Sequence, residues 1–170
     1  SVSPIITSEK LAILKSFGDK KSPSYQDFYR NKTFSTAYEK DLKKSLDALV
    51  ENVVNSVKNE GTRIIILDDS EFSKTKKIIP MAMAIGRINI ALLRAKVRHL
   101  ASMVAVSGEV YDSHSAAVLI GYGANALHPK LLAETVIEHT KRSNAVTVEC
   151  NVALKAVHGS LNAGILKIMS

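Results

Sequence analysis

Three residues of this chain could do acid–base chemistry together: Asp69, Glu109 and His128. Each stands just after, or at the end of, a run with strand character. Asp69 closes "RIIILDD", Glu109 follows "SMVAVSG", and His128 stands before the final proline of "ANALHP". In parallel α/β sheets, ligands sit beyond the carboxyl ends of the strands, so residues at these positions converge on the usual site. Two carboxylates and an imidazole there could act as general acid and base, or hold a divalent metal. The competing reading is structural. Acids placed after strands cap helix starts, and Asp68 or Asp69 could pair with the basic cluster "SKTKK" at Ser73 to Lys77. Both readings are open at this level.

The other reactive residue types give weaker signals. None of the histidines forms a His-x-x-x-His or His-x-Glu pattern, so no metal site is expected. His114 reads as a hydrogen-bonded structural residue. His99, His139 and His158 read as helix-end histidines, where a partly charged imidazole suits the dipole. Cys150, the one cysteine, excludes a disulfide or a multi-cysteine cluster within the chain; buried packing suits it better than nucleophilic chemistry. "GYGAN", at Gly121 to Asn125, precedes a strand rather than following one. It reads as a helix stop, with Gly121 or Gly123 in the left-handed region and Tyr122 packed, rather than as a phosphate loop.

The elements that must position these groups alternate in kind. "SEKLAILKSFG" makes a short helix with Ser8 as its N-cap and Gly18 as its stop. A polar arm carrying Tyr25, Phe28 and Tyr29 follows, and its aromatics are expected to pin it down. Thr33 to Tyr38 is β-branched and aromatic, which suits a strand. The clearest helix comes next, with an apolar stripe through Leu42, Leu46, Leu49, Val50, Val53, Val54 and Val57, ended by Gly61. The continuous apolar run before Asp68 fits a strand buried on both faces. A helix started by Pro80 runs through Met81, Ala84, Ile85, Ile88, Leu92 and Leu93. Then come a strand at Ser102 to Gly108, a helix from Ser113 to Gly123 with Asp112 or Ser113 as N-cap, a strand to Pro129 and a helix to Thr140. The tail from Val146 reads as two helices hinged near Gly159.

Strand–helix alternation at this spacing predicts about four parallel βα units with right-handed crossovers. They form an open, partial-barrel-like sheet flanked by helices, with two C-terminal helices; four strands are too few to close a barrel. Residues 1–32 are the N-terminal helix and arm, 33–142 the βα units and 143–170 the terminal helices. Such a sheet leaves two edges to be covered by its own chain or by a neighbour. The 170 residues, 46% of them apolar, suit one globular domain. The net charge of +7 is scattered and carries no stacking aromatics, so nucleic acid is not expected as a partner. No apolar run reaches the roughly 20 residues of a membrane helix, and "SVSPIITSEK" lacks a secretory pattern; no membrane association and a cytoplasmic address are the expectation.

The stretch "SGEVYDSHSAAVLIGYGANALHPKLLAET" resembles the central domain of the glutamate synthase large subunit. The matching features are Ser107-Gly108-Glu109, His114, Gly121-Tyr122-Gly123-Ala124 and Pro129. "IIILDDS" with "IIPMAMAIG" and the ending Lys167-Ile168-Met169-Ser170 extend the likeness over nearly the whole chain. Departures include Asp68-Asp69-Ser70 for Ser-Asp-Arg, Arg87-Ile88-Asn89-Ile90 for a histidine-rich stretch, Asn125 for Asp and His128 for Asn. The resemblance implies a non-catalytic domain between a glutamine amidotransferase domain and an FMN-binding synthase domain, helping to wall an ammonia passage. It implies no cofactor in this chain, with FMN and an iron–sulfur cluster held elsewhere in the parent oxidoreductase. It also implies that the adjacent domains are the partners, while the open sheet edges and the apolar tail leave a homo-oligomer as a further option. The nucleophile of such amidotransferases is an N-terminal cysteine; Ser1 stands first here and Cys150 is far along the chain. The residues themselves keep the alternative of a small α/β enzyme using Asp69, Glu109 and His128.

Overall fold

The computed structural model describes residues 3–19, 29–142 and 147–170. Ser1, Tyr25 and Phe28 lie outside them. Among the described residues there are six α-helices: α1 (Ser8–Asp19), α2 (Leu42–Asn59), α3 (Met81–Arg94), α4 (Ser113–Tyr122), α5 (Lys130–Arg142) and α6 (Thr147–Met169). The strands are β1 (Asn31–Ser35), β2 (Ala37–Tyr38), β3 (Ile64–Asp68), β4 (Lys77–Ile78), β5 (Ser102–Ser107) and β6 (Ala126–Pro129).

The main sheet is fully parallel in the order β1-β3-β5-β6. The strands follow one another in chain order, as in a barrel segment that has not closed. Alternation of side chains along each strand sorts the two faces. Ile65, Leu67, Met103, Ala105 and Leu127 point into the larger core, against α2, α3 and α4. Ile66, Val104 and Val106 point the other way and pack with Leu11 of α1. Both faces are covered, which is why β3 reads as an unbroken apolar run.

The helices form for local reasons that the sequence carries. Asp41 caps α2 by accepting from the Lys44 N–H at 3.0 Å, and the stripe from Leu46 to Val57 is buried. Asp112 caps α4 in a reciprocal box with Ser115, and those bonds hold its carboxyl below the usual aspartate range. At α1 the Lys10 N–H donates to Thr7 Oγ1 at 3.3 Å, so the cap falls on Thr7 rather than Ser8.

Five expectations need correction. The run from Thr33 to Tyr38 is split: β1 ends at Ser35, Thr36 separates the two strands, and Ala37–Tyr38 turns into a second, two-stranded antiparallel sheet with β4. Leu93 does not join the core but is 57% exposed. His114 is exposed rather than held in a structural bond. The tail is one 23-residue helix, not two, and it passes through Gly159 without a break. A mid-helix glycine costs about 1 kcal/mol, but the packing of Leu161 and Ile165 into the larger core outweighs it. His158 therefore lies inside α6 rather than at a helix end.

One of the two sheet edges is covered by the chain itself. Residues 4–6 run parallel to β6: the Leu127 N–H donates to the Pro4 carbonyl at 2.8 Å, and the Ile6 N–H to the Leu127 carbonyl at 2.9 Å. At the other edge β1 carries Lys32, a charge that discourages further strand pairing.

Candidate functional site

The carboxyl ends of β3 and β5 place Asp69 and Glu109 side by side through a buried serine. Asp69 Oδ2 accepts from Ser107 Oγ at 2.6 Å and from the Gly108 N–H at 2.9 Å. Ser107 Oγ in turn accepts from the Glu109 N–H at 3.0 Å. The two oxygens of Glu109 accept from the Met81 N–H at 3.1 and 3.2 Å. Met81 opens α3 behind Pro80, which makes no side-chain cap of its own. An unpaired helix-start N–H at the positive end of the dipole is a natural seat for a carboxylate. The chain Asp69–Ser107–Glu109–Met81 thus ties β3, β5 and α3 together. The basic cluster is not part of it: Lys76 pairs with Glu71 at 2.8 Å, and Asp68 meets Lys15 at 3.6 Å.

His128 does not join this pair. In β6 it stands opposite Val106, on the face that packs with α1 rather than the face holding Ser107. It is buried, and its Nδ1 lies 3.0 Å from the Ile6 carbonyl. A carbonyl only accepts, so Nδ1 carries the proton. The structure therefore brings together two of the three candidates, Asp69 and Glu109, and holds the third on the other side of the sheet.

A cavity of about 520 Å³ opens among the start of α1, α5 and α6, with Thr7, Ser8, Ala133, Cys150, Asn151 and His158 in its wall. Cys150 is half-buried. His158 Nε2 is buried without a hydrogen-bond partner among the described residues. Burial first, then the charges of His128 and Lys10, hold the His158 imidazole below its ordinary value of 6.5. Asp69, Glu109 and His128 do not line this cavity. Among the described residues no group of three or more His, Cys, Asp or Glu side chains could hold a metal ion, and no helix is long and apolar enough to cross a membrane.

The Gly-Tyr-Gly stretch works as a packing device. Gly121 is helical; Gly123 ends α4 at φ 125°, and its N–H closes on the Ile120 carbonyl at 2.9 Å. Tyr122 lies over Gly86 of α3, where an added Cβ would be 2.9 Å from its ring. Asn89 sits against Gly123, leaving 2.7 Å for a Cβ there.

Beside this stretch lies a junction that reasoning from the sequence missed. Arg98 Nε donates to Asn89 Oδ1 at 2.7 Å, Nη1 to the Ala101 carbonyl at 2.6 Å, and Nη2 to the Gly123 carbonyl at 2.9 Å and Asn125 Oδ1 at 3.1 Å. Asn125 Oδ1 also accepts from the Met103 N–H at 2.9 Å. One guanidinium fork thereby joins α3, the end of α4 and the start of β5, and partial burial lowers its pKa. Asn89 and Asn125, two of the noted departures, are its side-chain partners. The only cue in the sequence was an arginine in the short link before a buried strand.

The stretch from Gly108 to Val136 is therefore built into helix caps, a helix stop and strand β6. The family described as "Glutamate synthase central domain" matches residues 1–170. The chain is similar to ferredoxin-dependent glutamate synthase 2, chloroplastic, of Arabidopsis thaliana, at 32% identity over 143 residues, 78% of this chain and 9% of that protein. It is similar to ferredoxin-dependent glutamate synthase 2 of Synechocystis, at 31% over 153 residues, 80% of this chain and 10% of that one. It is also similar to the NADPH glutamate synthase large chain of Bacillus subtilis, at 24% over 167 residues, 98% of this chain and 10% of that one. The chain spans about a tenth of the length of these relatives.

Proposed function

The chain belongs to the glutamate synthase central-domain family, and from that membership we propose that it is a non-catalytic scaffold within a glutamate synthase. It joins the glutamine amidotransferase domain to the FMN-binding synthase domain and helps to wall the ammonia passage between them. The parent oxidoreductase makes glutamate from glutamine and 2-oxoglutarate, using FMN and an iron–sulfur cluster held by other domains. The observation that carries this reading is the use made of Asp69 and Glu109. Their carboxylates accept from backbone N–H groups and a buried hydroxyl that start or brace elements, which is the work of a frame. Exposed Leu166, Ile168 and Met169 near the end of α6 offer apolar surface to a neighbouring domain.

A flavin titration tests the proposal. FMN added to the purified chain is expected to leave its absorbance and fluorescence as those of free flavin. Tight, stoichiometric uptake would sink the scaffold reading.

A further inference from the structure

We propose that the groove between α2 and α3 is the seat of an acidic amphipathic helix supplied by a neighbouring protein segment. The groove encloses about 730 Å³, with Val50, Val54, Ile90 and Ala91 as its apolar part and Lys58 and Arg94 among its rim residues. Ile90 is 47% exposed, on the side of its helix away from the buried Met81, Ala84, Ile85, Ile88 and Leu92. Met83, Arg87, Ile90 and Arg94 recur at steps of four, three and four, so they form one outward stripe along α3.

The charge of the groove wall is weighted to the positive side. Lys58, Arg87 and Arg94 stand in it against a single acid, Glu51. Arg87 is held by Asp47 of α2 at 2.9 Å. Lys58 and Arg94 have no carboxylate partner among the described residues. Unmatched cations beside an apolar floor call for carboxylates flanking an apolar ridge.

The shape selects a helix. From Val50 to Asn59, α2 offers about 14 Å of wall at 1.5 Å per residue, enough for two to three turns of a third helix. Two parallel ridges with an apolar floor are the setting of helix-in-groove recognition. No aromatic residue lines the groove, so bases would have nothing to stack on. The chemistry of the groove stands on this chain's own residues, so it goes beyond the scaffold reading and does not need it.

A fluorescein-labelled 14-residue peptide, with leucines at helical spacing and glutamates flanking them, serves as the probe, read by anisotropy and by backbone amide spectra of the full chain. The expected result is saturable binding that weakens with salt, with shifts confined to α2 and α3. The pair Lys58→Glu with Arg94→Glu should weaken it at least tenfold, and Ile90→Asp should do likewise, while Lys167→Glu on α6 leaves it within twofold. The spectra also report that each variant is folded. The proposal is overturned by an absence of saturable binding, by equal binding of a scrambled peptide, or by a loss as large with Lys167→Glu. Preferential binding of a labelled oligothymidylate or of phosphatidylglycerol vesicles would overturn it as well. Flavin uptake is read separately, so failure here and failure of the scaffold reading are distinct results.

Discussion

Glu109 illustrates how a residue that looks catalytic can be a helix cap. Both its oxygens face the Met81 N–H, so Glu109→Ala leaves the first turn of α3 without its partner. Loss of such a cap costs about 1 kcal/mol, within the ~0.5–2 kcal/mol seen for caps. Urea unfolding should show a lower midpoint with an unchanged slope. His158 makes a second prediction. Its lowered pKa means that the folded chain resists the proton which the unfolded chain accepts. Stability is then full above pH 6.5 and falls as pH drops from 6.5 toward the lowered folded value. Melting temperatures across that range should decline, and His158→Gln should flatten this part of the profile. The neighbourhood of Asp69 and Glu109 was readable, because both follow parallel strands on the same face. The place of His128 was not: one step along β6 moves a side chain to the opposite face, and the registry was visible only in three dimensions.

At the scale of elements, two glycines of α6 should respond oppositely to the same change. A Cβ at Gly159 meets nothing within 4 Å, so Gly159→Ala should stabilise the chain by roughly 0.5–1 kcal/mol through helix propensity. A Cβ at Gly164 would overlap Ser113 Oγ and come within 2.5 Å of Ser113 Cβ, where α4 starts. Gly164→Ala should cost about 1–3 kcal/mol, and Ser113→Gly in the same chain should recover much of it. Equilibrium unfolding of the two single variants and the double variant measures this coupling. Periodicity made α2, α3 and the parallel strands legible: Leu46, Leu49, Val53 and Val57 are buried as a helical stripe requires. It could not reveal β2 and β4, since two residues each carry no period. Gly159 was read as a hinge because sequence alone does not show that Leu161 and Ile165 hold the helix straight across it.

For the whole molecule, strands laid side by side in chain order favour connections between consecutive units, and the right-handed βα rule makes this order readable from alternation alone. The pairing of residues 4–6 with β6 was not readable, because no local pattern joins positions more than 120 residues apart. Ile6→Pro removes the N–H that donates to the Leu127 carbonyl and should loosen that edge. Amide exchange at Leu127, whose own N–H donates to Pro4, is expected to speed up while amides in β3 keep their protection.

That long-range pairing also fixes an order of events during synthesis. The stretch at Pro4 to Ile6 leaves the ribosome before β1, yet the strand it zips onto is translated only after three other strands of the sheet. Until residues 126–129 emerge, this early stretch has no partner on that edge and is open to chaperones or to a wrong strand. A pause in translation after β6 would give the zipper time to close, whereas fast elongation past that point would leave it to compete with whatever follows.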